Sequence, residues 1–369
     1  MRLGWIEVSP ALGGGSEAIA LDLARGLADR GHEIVLFHEE DGALLKEYRG
    51  FACGVLRVSI PQFSRRRLIS RLPNMWRLAR EVRRMRCDRL FTSNVHRLGT
   101  LAMLRLMGMP PSVVHLGIEA VPGGAIEHWP MRWLGAGVCP SKITALSWRK
   151  WGWPEGRLHV VSNWVDRRRM PELPGKLEAR SRLGLPHGGG IILFLGRLVQ
   201  EKGVHTLVRA FARLMTSHPH AHLVCVGRFE PYYEPIIRNL IAELRLPQES
   251  SILPGRSDDP WMYLRAADLL VLPSEWAEPF GLTPLEAIIA GTLPIVSSAG
   301  FLPEMVGPDN ADLVFSAGDA DALARLLVRW LTDSEEKTAR IEALRERVTE
   351  KFNPERGVEA YERILLAAR

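Results

Sequence analysis

Short apolar runs alternate with helix-period segments along the whole chain. The run LGWIEV, residues 3–8, precedes GSEAIALDLARGLADRG, where apolar residues recur at helical spacing until Gly31 stops them. HEIVLF, DRLFTS, SVVHLG and GAGVCPS repeat the strand signal. From Asp166 to Gly190 the pattern breaks into a polar stretch rich in Pro and Gly, with room for one short helix. The alternation then restarts. IILFLG, AHLVCVG, SILPG, DLLVLPS and LPIVSS read as strands, with helix-period segments between them, and two long helices close the chain. Alternating strands and helices predict parallel sheets covered on both faces. The expected fold is α/β: two doubly wound, Rossmann-like domains facing each other across a cleft, with ligands at the carboxyl ends of the strands. The first domain is expected over residues 1–170, a linker over 171–190 and the second domain over 191–353.

Composition narrows the class. The chain has 369 residues, 46% hydrophobic and 24% charged, as expected of soluble globular domains. No apolar run reaches the ~18 residues of a membrane span, and the N-terminus reads as a strand rather than a signal peptide. The expected home is the cytoplasm. Cys53, Cys87, Cys139 and Cys225 have neither CxxC nor zinc-ligand spacing, so isolated reduced thiols are expected. Net charge is +6 and unevenly spread. Residues 64–105 hold twelve arginines against two acids, Glu81 and Asp88. Leu68, Ile69, Leu72, Met75, Trp76 and Leu78 interleave with them. This stretch suits an anionic membrane surface, which would make the protein peripheral on the inner face, or an acidic acceptor. It also suits a solvated helix face. No nucleic-acid motif accompanies the charge, so no nucleic-acid partner is expected.

Two loops carry candidate chemistry. In PALGGGS, between the first strand and its helix, Gly13, Gly15 and Ala18 fit G-x-G-x-x-A, a dinucleotide fingerprint. Glu39 and Glu40 stand near the end of the next strand, where a ribose-binding acid would sit. An NAD(P)-dependent oxidoreductase is therefore one reading. Any phosphate approaching the helix N-terminus is another, because free N–H groups and the helix dipole favour anions there. In the second half, GRLVQEKG places Arg197 and Lys202 at the carboxyl end of a strand, a pair of cations suited to a diphosphate.

The stretch EPFGLTPLEAIIAG sets Glu278 and Glu286 around a glycine turn, with seven residues between them. Thr283, Pro284 and Glu286 have the spacing of a capping box with proline at the first helical position. Glu286 is thus either a helix cap or a ligand for hydroxyls. Glu278 lies outside the helix and has no capping role. Asp319 and Asp321 form a D-x-D that opens the helix DALARLLVRWL, where capping is expected rather than metal binding.

Taken together, EPFGLTPLEAIIAGTLPIVSS, GRLVQEKG, LVCVG, AADLLVLPS, VSNWVD and the first glycine loop with its helix resemble the retaining GT-B glycosyltransferases of family 4, the glycosyl transferases group 1. The resemblance spans nearly the whole chain and is strongest from Ile191 to Glu304. It implies a retaining glycosyltransferase that moves a sugar from a nucleoside diphosphate, UDP or GDP, to a glycan, lipid-linked or small-molecule acceptor. It implies no required cofactor and no metal. Glu286 would hold the ribose and Glu278 the donor sugar. Arg197 and Lys202 would hold the diphosphate as it leaves, and Phe280, Gly281, Leu282 and Thr283 would offer backbone N–H groups. Gly255 and Arg256 would flank the base, and Gly14 would approach the diphosphate from the first domain. His115 would stand near the reacting centre, so Glu278, His115, Arg197 and Lys202 form the implied catalytic set. The last helix, 354–369, would cross back to the first domain. One departure is Trp164, where the family usually has glycine. Trp129, Trp133, Trp148, Trp151, Trp153 and Trp164 crowd one region, as core or as a stacking surface. Rival readings are a sugar-nucleotide epimerase of the same fold, the oxidoreductase built on the Gly13–Gly15 loop, and a non-catalytic sugar-nucleotide scaffold.

Overall fold

A computed structural model describes residues 1–10, 14–62, 68–120, 128–332 and 334–369, with 68–70 and 334 as backbone only. Gly13 of the fingerprint and residues 64–67 of the arginine-rich stretch lie outside the described residues. The chain divides into two units, Met1–Val165 with Phe352–Arg369, and Asp166–Lys351.

The first unit is built on seven parallel strands: β1 (Arg2–Glu7), β2 (Glu33–His38), β3 (Gly54–Arg57), β4 (Arg89–Thr92), β5 (Ser112–His115), β6 (Ala136–Cys139) and β7 (Leu158–Val160). Their order is β3-β2-β1-β4-β5-β6-β7. The order reverses between β1 and β4, which makes that pair's carboxyl ends a switch point. Central strands are buried on both faces, so their residues are apolar in runs rather than alternating. Leu3, Trp5 and Ile6 of β1 are fully enclosed, and Trp5 stacks on Phe91 with centroids 3.9 Å apart. The terminal helix Pro354–Ala367 belongs to this unit. Asn353 caps it, accepting from the Arg356 amide at 3.1 Å. Its Glu362 pairs with Arg30 and His32, each at 2.7 Å. Trp164 is buried edge-on against Tyr361, with Gly357 leaving room for its ring. The bulky departure from glycine is thus spent on packing that helix. Trp148 and Trp153 are core as well, while Trp133 is 41% exposed.

The second unit has six parallel strands: β8 (Ile191–Leu195), β9 (His222–Val226), β10 (Ser251–Gly255), β11 (Leu269–Leu272), β12 (Leu293–Ser297) and β13 (Val314–Phe315), in the order β10-β9-β8-β11-β12-β13. Its switch point lies between β8 and β11. Residues 171–190, expected as a linker, are packed into this unit. They carry the helix Lys176–Leu183. Its Arg180 is 3% exposed and donates to the Ala266 and His187 carbonyls at 3.0 Å and to Asp268 at 2.6 Å. Asp268 also accepts from the Ile191 amide at 2.8 Å, which ties the helix to the first residue of β8.

β3, β7 and β13 did not announce themselves in the apolar pattern. Each is an edge strand of four residues or fewer, too short to show a period. The helix Leu68–Arg84 buries Met75, Leu78, Ala79 and Val82 and turns Trp76, Arg77, Arg80, Arg83 and Arg84 outward.

Candidate functional site

The β8 loop and the β11 loop meet at one side chain. Glu278 is 3% exposed. Its Oε1 accepts from Lys202 Nζ, from Ser274 Oγ at 2.5 Å and from Trp276 Nε1 at 3.3 Å. The Lys202 ammonium also lies 5.6 Å from the centroid of the Trp276 ring. What brings the loops together is Gly203, at φ +67°, where a Cβ would fall inside contact distance of the Pro273 carbonyl oxygen. Thr206 and His205 hold the neighbouring Glu275 at 2.6 and 3.0 Å. An acid and a lysine are therefore fixed together at the carboxyl ends of β8 and β11, the position where doubly wound sheets bind ligands.

The helix that follows runs Leu282–Ala290, with Gly281 at its N-cap and no side chain capping it. This overturns the capping box. Thr283 lies inside the helix, one residue past its start, so Glu286 falls two residues beyond the third helical position from which it could cap. The reason is Gly281 itself: at φ +82° it starts the helix early, and an added Cβ would lie 2.8 Å from Leu302. The amides at this N-terminus are left for an anion or a hydroxyl. Glu286 is half-buried. Burial raises its pKa, and the Arg169 guanidinium opposes that rise. Phe280 is buried and stacked on Phe301, centroids 4.9 Å apart, which fixes the backbone entering the turn.

Arg197 is exposed in the β8 loop. Gly255 ends the edge strand β10 and Arg256 stands exposed just beyond it. In the first unit, Gly14 is exposed and precedes the helix Gly15–Asp29 as its N-cap, in extended backbone. His115 is fully buried at the end of β5. Its Nδ1 bonds the Tyr361 hydroxyl at 2.7 Å, while Nε2 has no partner among the described residues. Burial lowers its pKa to about 4, so the ring is neutral. A Cβ on Gly117 would lie 3.0 Å from that bare nitrogen and against Ser16 Oγ, which puts His115 beside the first turn of the helix Gly15–Asp29. Glu39, the candidate ribose acid of the dinucleotide reading, has its carboxylate engaged by Ser59 Oγ at 2.9 Å.

The structure adds roles that the motifs did not mark. Ser274, the last residue of AADLLVLPS, and Trp276 serve Glu278, Arg169 faces Glu286, and Tyr361 orients His115. At the first unit's switch point, Glu7 accepts from the Ser93 amide and hydroxyl, both at 3.0 Å. Only position at a strand end could have flagged Glu7. The D-x-D is a cap: Asp319 Oδ1 accepts from the amides of Asp321 at 3.0 Å and Ala322 at 2.8 Å. No group of three His, Cys, Asp or Glu side chains able to hold a metal ion occurs among the described residues.

Comparison with known proteins places these elements in context. The model of Glycosyltransferase Family 4 matches residues 13–169, and that of the Glycosyl transferases group 1 matches 175–347. A D-inositol 3-phosphate glycosyltransferase of Corynebacterium efficiens is 33% identical over 46% of this chain and 43% of its own length. A 2-deoxystreptamine glucosyltransferase of Streptomyces kanamyceticus is 28% identical over 74% of this chain and 71% of its own. The chain spans about half the length of the first curated relatives it matches. Among solved structures, Anabaena HepE in complex with UDP-glucose superposes with a TM-score of 0.82 at 19% identity, covering 100% of both chains. Sucrose-phosphate synthase of Thermosynechococcus elongatus does so with 0.81 at 23%, again over 100% of both. At such identities the likeness establishes a shared fold.

Proposed function

Because this chain belongs to the family 4 glycosyltransferases, the glycosyl transferases group 1, and has their GT-B fold, we propose that it transfers a sugar from a nucleoside diphosphate to an acceptor hydroxyl with retention of configuration. The observation that carries this reading is the Glu278–Lys202 pair beside the uncapped start of the helix Leu282–Ala290. A carboxylate accepts from sugar hydroxyls, while an ammonium and the amides of a helix start donate to the oxygens of a diphosphate. Glu278 holds the donor sugar, and Lys202 with Arg197 balances the charge that grows on the diphosphate as its bond to C1 breaks. The amides of Phe280, Gly281, Leu282 and Thr283 supplement them. Glu286 takes the ribose hydroxyls, and Gly255 and Arg256 flank the base. In the first unit, the family resemblance assigns Gly14 to the diphosphate and the neutral His115 to the reacting centre. The acceptor's proton passes to the departing phosphate oxygen on the same face.

UDP is the first donor base to test, since HepE was solved with UDP-glucose. The outward arginines and Trp76 of the helix Leu68–Arg84 suit an anionic membrane surface. They support a peripheral place on the inner face of the cytoplasmic membrane and a lipid-linked or anionic glycan acceptor. No helix among the described residues is long and apolar enough to cross a membrane. Neither the epimerase nor the NAD(P) reading gains an observation of its own.

The test is a thermal-shift panel of UDP, GDP, ADP, dTDP and NAD(P) on wild type and Glu286→Ala. A nucleoside diphosphate at ~100 times its dissociation constant adds about 2.7 kcal/mol. The expected result is a shift with one nucleoside diphosphate that weakens in Glu286→Ala. A shift with NAD(P) alone would overturn the proposal.

A further inference from the structure

Arg97 ends the short helical turn Val95–Arg97 that follows β4, at the switch point of the first unit. Its side chain is half-buried and its Nε fully enclosed, yet that nitrogen has no hydrogen-bond partner, and the guanidinium makes no ion pair among the described residues. Other enclosed guanidiniums find an acceptor through at least one nitrogen: Arg347, whose Nε is likewise enclosed and unpartnered, donates through Nη2 to the Glu304 carbonyl at 3.1 Å. Arg180 has the Ala266, His187 and Gly189 carbonyls and Asp268, and Arg340 has Asn310, Asp312 and Glu336. A desolvated cation left without an acceptor is costly, and a polar strand-end position could hold many neutral residues instead.

The charges that act on Arg97 come from two elements. Glu39 and Glu40 follow β2, and Arg71 lies in the helix Leu68–Arg84. Neither acid reaches ion-pair distance. Glu39 is bonded by Ser59 and, through its carbonyl, by Arg57 at 3.2 Å. The second guanidinium adds repulsion that only an anion would relieve. Arg97 and the three charges that act on it, Arg71, Glu39 and Glu40, narrow the ligand. A bare phosphate would be repelled by the acids, and a neutral sugar would leave Arg97 uncompensated. A phosphorylated sugar answers both, with its phosphate on the guanidiniums and its hydroxyls toward the acids.

We propose that Arg97, with Arg71 and Glu39, forms a subsite for a sugar phosphate at the β1/β4 switch point of the first unit. Calling that ligand the acceptor rests on the glycosyl-transfer reading; its binding does not.

The experiment measures melting temperature with glucose 6-phosphate, inorganic phosphate and glucose. A co-sedimentation arm uses phosphatidylcholine vesicles with or without phosphatidylinositol 4-phosphate, since a lipid headgroup presents the same chemistry. UDP serves as a separate report on the second unit. Expected is a shift with glucose 6-phosphate that exceeds those of phosphate and glucose. If the source is a lipid, the expected result is instead co-sedimentation that needs the phosphoinositide. Either should weaken about tenfold or more in Arg97→Gln, less in Arg97→Lys, while the UDP response stays unchanged. Ligand-free Arg97→Gln should melt no lower than wild type, because an uncompensated charge has been removed. A structural arginine would behave oppositely. No response to either phosphorylated probe, or a response equal in Arg97→Gln, overturns the proposal. A missing UDP shift would count against the transferase reading alone. Should Arg97→Gln fold poorly, Arg71→Gln carries the same comparison.

Discussion

Glu7 is predicted to make the protein less stable as pH rises, and Glu7→Gln should remove that dependence. The carboxyl group is 4% exposed at the end of β1. Its burial outweighs the two hydrogen bonds from Ser93 and raises its pKa from 4.5 to about 8. Below pH 4.5 both folded and unfolded chains hold the proton, and Glu7 contributes no pH dependence. Between 4.5 and about 8 the unfolded chain has released it and the folded chain has not. Stability then falls by about 1.36 kcal/mol per pH unit, reaching roughly 4 to 5 kcal/mol across the interval. His115 works in the opposite sense. Its pKa is lowered from 6.5 to about 4, so the unfolded chain holds the extra proton between those values and stability rises with pH. From pH 4.5 to 6.5 the two slopes cancel, which leaves 6.5 to 8 as the window in which Glu7 acts alone of the two. There it should cost roughly 2 kcal/mol.

Glutamine has the same shape and keeps both Ser93 contacts, accepting from the amide and donating to the hydroxyl. The assay is urea unfolding of wild type and Glu7→Gln at pH 5, 6.5 and 8. Other groups titrate equally in both proteins, so the difference between them isolates Glu7. It should move by roughly 2 kcal/mol in favour of the variant from pH 6.5 to 8. A constant difference across that window would mean that Glu7 is ionised throughout, and the desolvation argument would fall.

Lys202→Ala should destabilise by about 3 kcal/mol or more in urea, because Glu278 is left as an enclosed charge without its cation; adding Glu278→Gln should recover much of that loss, and strict additivity of the two changes would refute the coupling. Gly281→Ala should cost at least about 1 kcal/mol, since alanine at φ +82° is strained and its Cβ meets Leu302, and the UDP response should weaken with it; an unchanged melting temperature would count against the glycine turn as the helix start. Asp319→Ala should cost about 1 kcal/mol as a lost cap and leave the UDP response untouched, whereas a change in metal dependence would contradict the capping assignment.

Both sheets were legible because a parallel strand buried on two faces must be an unbroken apolar run, and IILFLG or DLLVLPS has few other uses. The edge strands were not, since two to four residues with one neighbour need no such run. The stretch 171–190 read as a linker because its helix is mostly polar. What docks it is one buried arginine and Asp268, a pairing across 88 residues that no local pattern encodes. The capping box failed for a related reason: Thr283 and Glu286 had the right spacing, but Gly281 could take the left-handed turn and started the helix sooner.

The site shows the same division. Motif spacing located Glu278 and Lys202 on separate loops, and spacing could go no further. That the two side chains touch depends on Gly203 passing against the Pro273 carbonyl, a contact between segments some seventy residues apart. Of the partners that set the electrostatics, Ser274 closes the motif AADLLVLPS but carried no sign of its role, and Trp276 and Arg169 belong to no motif. In the first unit the imbalance is larger. There Glu7, Ser93, Arg97 and His115 share the carboxyl ends of β1, β4 and β5, or the turn just beyond, and only His115 carried a sequence signal. A fold that fixes its polar groups at strand ends can exchange them without disturbing the apolar runs between. Acceptor choice, if it resides there, would then be written in residues that hydrophobic patterning does not constrain, and the pH response of Glu7 and the sugar-phosphate response of Arg97 are two direct ways to read it.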